Sequence, residues 1–156
     1  MADPDSSASL VFRPYTPADR TVCLQLIDAN IPTNFAPNER ADYEQFLDGH
    51  PATYRVGRQG GDVLAAFGFM VDENRGRIQW IMVAPTVQGA GVGGTMMELA
   101  LDEARRRDVL IIDIAASQKS APFFAKYGAK PHKVTPEGWG PGLDRVDMEL
   151  VLGTPS

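Results

Sequence analysis

Cysteine is almost missing from this chain. The one copy, Cys23, excludes an internal disulfide and a thiolate metal cluster, and it suits a reducing compartment. A cytoplasmic location is the expectation. No apolar run approaches the ~18 residues that a membrane-spanning helix needs, and the opening MADPDSSAS lacks the basic and apolar parts of a secretory leader. No membrane partner is expected. Basic charge is also short: 15 Lys and Arg against 20 Asp and Glu leave a formal charge of −5. Nucleic acid is therefore not an expected partner, because such binding runs on clustered Lys and Arg. An anionic ligand needs a local site, not a global field. His50 and His132 are isolated, without metal-ligand spacing, so no metal is expected.

What is present suits one globular domain. The 156 residues are 44% hydrophobic and 22% charged. Residues 1–8 read as a flexible tail, 9–152 as a single domain and 153–156 as a second tail. SLVFRPYT reads as a strand, and TPADRTVCLQLIDAN as a helix capped by Thr16, with Pro17 at its first position and Leu24, Leu26 and Ile27 facing the core. A second helix spans about Asn38 to Asp48, with Tyr43, Phe46 and Leu47 on one side. TYRVGRQ, DVLAAFGFMVD and RIQWIMVA then form an antiparallel meander through the turns GG and ENRG.

A helix follows to about Arg107, with Val92, Met96, Leu99 and Ala100 at helical spacing. VLIIDIAAS is a continuous apolar run of the kind a strand buried on both faces shows. SQKSAPFFAKYGAKP gives a short helix ended by Gly128. A strand near Lys130 to Thr135, a loop PEGWGPGL and a last strand DRVDMELVL complete the chain. The order of elements is that of a mixed α/β (α+β layered) fold.

Between the third meander strand and the following helix lies PTVQGAGVGG, residues 85–94, with five glycines in ten positions. Strand, glycine-rich turn and helix present free backbone N–H groups and a positive dipole end to an anion. A P-loop needs a lysine after its last glycine, and Thr95 stands there instead. Gly89, Gly91 and Gly94 fit a dinucleotide fingerprint, with Asp113 near the distance of a ribose-binding acid. Only 43 residues follow Asp113, too few for the rest of a doubly wound sheet. A tight turn needing only positive φ is the plain alternative.

Gln88, Gly91 and Gly93 also spell Gln-x-x-Gly-x-Gly after a strand ending VAP, and SQKSAPFFAKYGA carries Ser117, Ser120, Phe123, Lys126 and Gly128 in register with N-x-x-A-x-x-F-Y-x-K-x-G-F. With these two motifs in this order, the chain resembles the GNAT superfamily of N-acetyltransferases. The resemblance covers residues 9–152. It implies a GNAT-like mixed, mostly antiparallel sheet of about seven strands flanked by about four helices. It implies acetyl-CoA as cosubstrate, an amine acceptor of a small molecule or protein, and a monomer or homodimer.

It also implies that Gln88, Gly89, Ala90, Gly91, Val92, Gly93 and Gly94 cradle a pyrophosphate with main-chain amides. Val83 would polarise the thioester carbonyl, an oxyanion-hole role, and Ser117 and Phe124 would lie against the pantetheine. The alternative for Ser117 is a plain helix cap.

The catalytic residues stay unassigned. Phe124 stands where the family often has a tyrosine acid, and Arg77, with Gln79 next on its face, where it often has a glutamate base. A positioned acid or base is worth ~10²–10⁴-fold. Deprotonating a lysine-like amine at pH 7 costs roughly 4–5 kcal/mol, against about 1 kcal/mol for an α-amine. Tyr127 is the candidate replacement acid, with core packing as its alternative, and Glu73 the candidate acid for a water relay. A non-catalytic acyl-CoA sensor is the rival reading. IPTNFAP and PEGWGPGL, with Phe35 and Trp139, are the expected acceptor walls, a hydrophobic plug over the end of the sheet being the alternative for Trp139.

Overall fold

The computed structural model describes residues 10–153. The N-terminal tail expected at 1–8 lies outside the described residues, as does the expected C-terminal tail beyond Gly153. The elements are β1 (Val11–Pro14), a 3₁₀ turn (Pro17–Asp19), α1 (Arg20–Ala29), α2 (Glu39–Asp48), β2 (Tyr54–Gln59), β3 (Asp62–Asp72) and β4 (Arg75–Val83). They continue with a 3₁₀ turn (Pro85–Val87), α3 (Val92–Arg106), β5 (Ile111–Ala116), α4 (Ala121–Ala125), β6 (Lys130–Gly140) and β7 (Leu143–Val151). One seven-stranded sheet runs in the order β1-β2-β3-β4-β5-β7-β6. Every neighbouring pair is antiparallel except β4 with β5. This is the expected architecture, with four α-helices.

Two apolar layers sandwich the sheet. Cys23, Leu24, Leu26 and Ile27 of α1 and Tyr43 and Leu47 of α2 pack on Tyr54, Val56, Ala66 and Met82. Met96, Met97, Ala100, Leu101 and Ala104 of α3 pack with Phe124 on Phe67, Phe69, Ile78, Ile112, Ile114 and Met148. The spacing of the α3 residues puts one stripe against the sheet, as period 3.6 requires.

Three local expectations change. Thr16 caps a 3₁₀ turn, with its N–H on Asp19 Oδ2 at 3.0 Å, and the α-helix starts only at Arg20. β5 alternates: Ile112, Ile114 and Ala116 are buried while Ala115 is exposed. The strand buried on both sides is β3, over Ala65 to Phe69, because α1 and α2 cover only β2 to β4. Finally, β6 runs on through most of the expected loop to Gly140. Its extra residues are absorbed by a register shift between Thr135 and Gly140. The Glu137 carboxylate takes the Gly142 N–H at 3.1 Å, and Asp144 takes the Glu137 N–H at 2.9 Å.

Between Ala66↔Met82 and Gly68↔Gln79 the β3–β4 register shifts by one. Trp80 and Ile81 thus oppose Phe67 alone, a β-bulge. Trp80 sits there at φ 43°, rare for a bulky residue. The Tyr54 hydroxyl donates to the Trp80 carbonyl at 2.6 Å and accepts from Tyr43 at 2.8 Å.

Gly76 tests the packing of β4 against β3: a Cβ there would lie 2.4 Å from Phe69 Cζ, whereas one at Gly61 meets nothing within 4 Å. Gly76→Ala should destabilise by about 1–3 kcal/mol in urea melts, and Gly61→Ala should stay within about 0.5 kcal/mol. Equal effects would contradict the packing.

Candidate functional site

β4 and β5 pair only over Arg75–Arg77 with Ile111–Asp113 and then part. The opening continues into a cavity of about 600 Å³ between the two helical layers. Its walls carry Ile78 to Val83 of β4, Ile114 to Ala116 of β5 and Ser117, and Phe123 and Phe124 of α4. Phe35, Glu39 and Trp139 line it from the α1–α2 side and the β6–β7 hairpin.

The Ala84 N–H donates to the Leu64 carbonyl at 2.7 Å, and Ala65 lies opposite Val83. Antiparallel pairs alternate, so Val83 is a non-hydrogen-bonded position, with its N–H and C=O turned from β3 toward the parted β5. The carbonyl is occupied: it accepts from Asn30 Nδ2 at 3.1 Å and more weakly from Gln88 Nε2 at 3.4 Å. Asn30, only 2% exposed, also donates to the Leu26 carbonyl at 2.9 Å, while its Oδ1 accepts from Asn34 at 2.9 Å and Gln88 at 3.3 Å. One buried amide thus ties the end of α1 to the end of β4 and to the glycine segment. The hydropathy pattern had no means of marking this residue; only its place after an apolar helix face hinted at a cap.

The glycine segment divides into two kinds of position. Gly89 and Gly91 have φ 86° and 85°, with open space where a Cβ would stand, and left-handed backbone is what glycine supplies cheaply. Gly93 and Gly94 have another reason: a Cβ on them would lie 3.2 Å from the Phe123 ring and 3.2 Å from the Tyr127 hydroxyl. Part of what approaches the bare backbone is therefore α4.

The first α-helical bond of α3 runs from the Thr95 N–H to the Gly91 carbonyl at 3.1 Å. The amides of Val92, Gly93 and Gly94 precede it, and with those of Gly89 and Gly91 they have no acceptor among the described residues. The expected cradle is narrower than the seven residues named from sequence. The Ala90 N–H is spent on the Val87 carbonyl at 3.2 Å and that of Gln88, weakly, on Pro85 at 3.4 Å. Gln88 acts instead through its side chain.

Ser117 is buried, and its hydroxyl accepts from the amides of Lys119 and Ser120 at 3.1 and 3.3 Å. It caps the turn before α4 while lining the cavity. Phe124 is buried against Phe123, ring centroids 5.1 Å apart. Tyr127 packs on Phe123 at 5.5 Å and is not among the cavity residues. Arg77 and Gln79 do line the cavity. Glu73, the expected relay acid, sits in the β3–β4 turn at the far end of β4 from Val83 and does not line it. Asp113, the residue the dinucleotide reading needed, is held by Arg75 at 2.8 and 3.0 Å.

The acid that does line the cavity is Glu39, unremarkable in the sequence as the first residue of an amphipathic helix. It is 5% exposed. Oε2 accepts the Ala36 N–H at 2.8 Å. Burial pushes the carboxyl up to about 7, the Ala36 N–H opposing the rise and Asp42 adding to it. Trp139 reaches across with its indole N–H on the Ala116 carbonyl at 2.9 Å, under the Arg145 guanidinium at 4.8 Å. Phe35 stacks on Trp80 at 6.1 Å. Cys23 is buried in the α1 layer, its thiol pushed up to about 11 by that burial, and supplies no nucleophile here. Among the described residues no His, Cys, Asp and Glu group is arranged to hold a metal, and no helix is long and apolar enough to cross a membrane.

Comparison with known proteins bears on the family and the fold. The Acetyltransferase (GNAT) family model matches residues 23–129. No curated protein matches in sequence. The fold is similar to that of the ribosomal-protein-S18-alanine N-acetyltransferase of Escherichia coli, with TM-score 0.75 and 16% identity over 94% of this chain and 96% of that one. It is similar to yncA of Salmonella typhimurium, solved with its cofactor acetyl-CoA, with TM-score 0.69 and 17% identity over 94% and 96%. It is also similar to Rv2747 of Mycobacterium tuberculosis, solved with CoA and NLQ, with TM-score 0.68 and 18% identity over 92% and 99%.

The raised Glu39 carboxyl makes stability depend on pH. Folded, it holds its proton up to about pH 7; unfolded, only to its ordinary 4.5. Between those values the folded chain binds more protons, so this group's contribution falls as pH rises, by about 3 kcal/mol across the window. Glu39→Gln keeps an acceptor for Ala36 and removes the charge. Its stability relative to wild type in urea melts should therefore climb by about that amount from pH 4.5 to 7.5. A constant difference would contradict the assignment.

Proposed function

The chain belongs to the GNAT acetyltransferase family, and from that premise we propose that it transfers the acetyl group of acetyl-CoA directly to an amine of a small molecule or protein. The observation that carries the reading is the set of five amides without acceptors among the described residues, at Gly89, Gly91, Val92, Gly93 and Gly94, adjoining a β4 edge whose Val83 N–H is turned to the parting of the sheet. Such a set fits a diphosphate. Hydrogen bonds to a charged group are worth about 1.5–3 kcal/mol each, and the α3 dipole adds about 0.3–1 kcal/mol. With a formal charge of −5 the field of the whole chain does not draw in an anion, so the reading relies on this local concentration of donors.

In this proposal Val83 N–H donates to the thioester carbonyl as it gains negative charge, in the manner of an oxyanion hole. Ser117, Phe123 and Phe124 bound the arm that carries the sulfur. The leaving thiol, of ordinary pKa ~8.5, departs as thiolate without an acid near neutral pH, so the missing hydroxyl at Phe124 is tolerable. The acceptor amine enters on the side of Phe35, Glu39 and Trp139. An acyl-CoA sensor without turnover is the reading favoured by Phe124 and Arg77; thiol release from acetyl-CoA with an amine panel separates the two.

Gly91 offers a clean test, since asparagine and aspartate both tolerate its left-handed backbone and both cap helices. Only Asp adds charge. By calorimetry Gly91→Asn should bind acetyl-CoA within about fivefold of wild type. Gly91→Asp should bind at least about tenfold more weakly, with the gap narrowing in high salt. Wild-type affinity in Gly91→Asp would overturn the site.

A further inference from the structure

Glu39 is buried, yet among the described residues it has no cationic partner. Every buried side-chain oxygen or nitrogen among the described residues has a hydrogen-bond partner. Oε2 has the Ala36 N–H; Oε1 has none. Oε1 is therefore not sealed in, and the space it opens to is the cavity the residue lines. A carboxylate that only staples the α1–α2 loop needs one oxygen, and glutamine would do as well. Phe35 and Trp80, stacked on each other, line the same cavity, and Trp80 lies 5.0 Å from Tyr43. The charged group that acts on it is Asp42, one turn along α2; Arg77 and Arg145 line the same cavity, the latter bonded to Asp147 at 3.1 Å. A buried acid that shares a cavity with aromatic rings and has one oxygen without a partner suits a primary ammonium group, which aromatic faces also attract.

We propose that Glu39 is a catalytic residue that receives the acceptor's ammonium group and takes its first proton. This deepens the proposed transfer and rests on it for the chemical step. Glu39 carboxylate removes one proton from R–NH₃⁺, giving the free amine. The nitrogen lone pair forms the N–C bond to the thioester carbonyl, the carbonyl re-forms, and the C–S bond breaks with its electron pair on sulfur. The thiolate takes the second proton from nitrogen, and Glu39 returns the first to solvent. One ammonium and one acetyl thioester thus become one amide, one thiol and one proton. The acid comes from α2, not from the strand where Arg77 replaces the expected base, and both residues line the cavity, so the two departures found in the sequence do not leave the chain without a proton acceptor. Burial also keeps Glu39 near the pH at which a base works best.

The test is calorimetry on the full chain, with and without saturating coenzyme A, using ethylammonium, 2-phenylethylammonium and alaninamide at pH 6 and pH 8. Wild type should bind at least one of the three, several-fold tighter at pH 8, where the carboxyl is ionised. Glu39→Gln should bind that amine at least about tenfold more weakly, without the pH dependence, and bind coenzyme A as wild type does. With acetyl-CoA added, thiol release should fall about 10²-fold or more in kcat/KM, and the inflection near pH 7 should vanish. Equal amine affinity in Glu39→Gln, an unchanged pH profile, or no binding of any amine by wild type would overturn the proposal. Absence of coenzyme A binding in wild type would instead remove the transferase reading, leaving the ammonium site to stand or fall on the titrations without coenzyme A.

Discussion

A sheet that comes apart in its own middle is the constraint on which the rest of this structure depends. β4 and β5 pair over three residues each and then diverge, leaving backbone polar groups exposed where a continuous sheet would have bonded them. An unmatched buried group costs about 1–3 kcal/mol. The chain meets that demand unequally. The Val83 carbonyl is taken by Asn30 and Gln88, the Ala116 carbonyl by the Trp139 indole, and the Trp80 carbonyl, at the bulge, by the Tyr54 hydroxyl. These three carbonyls are covered by side chains, while among the described residues the N–H groups of Val83 and of the start of α3 are left unspent. The cleft is thereby polarised toward electron-rich guests in a chain of net negative charge. In a GNAT acetyltransferase this is the polarity a diphosphate and a developing oxyanion require.

The closed end of the fork has its own fastening. Arg75 spans β4, β5 and β7, reaching Asp113 and Glu149 at 2.7 to 3.0 Å. Exposed pairs of this kind contribute little energy, but this one sits where the two strands still pair. The open end is held by contacts between loops: Asn38 donates to the Trp139 carbonyl at 2.7 Å and Lys119 to the Thr33 carbonyl at 2.7 Å. The α1–α2 segment and the β6–β7 hairpin are thus tied over the cavity that Glu39 lines.

How much of this the sequence disclosed follows from the physics of each feature. Element order was readable because period and punctuation are local: GG and ENRG turns, Gly128 after a helix, a stripe along α3. The glycine segment invited an anion-site reading because so many glycines exceed the needs of one turn, yet their division of labour was not legible. Gly93 and Gly94 depend on Phe123 and Tyr127, about 30 residues away, and contacts of that range leave no periodic trace. β5 looked doubly buried because its residues are apolar; which strand is covered twice depends on how far α1 and α2 extend across the sheet. Glu39 and Asn30 were overlooked for one reason: polar residues on a short helix read as solvated, and only tertiary packing turned them inward. The motif reading, tied to family positions, looked for the base on β4 and found Arg77; the acid that lines the cavity, Glu39, comes from α2.

The central claim is that the amides left unspent at Val83 and at the start of α3 are what the acetyl donor binds. Amide hydrogen exchange followed residue by residue, with and without acetyl-CoA, tests it most directly. The account predicts slowing of about tenfold or more at Val83, Val92, Gly93 and Gly94 on binding, with little change at Ala90, whose N–H already has a partner. Binding that leaves those four amides exchanging as before would contradict it.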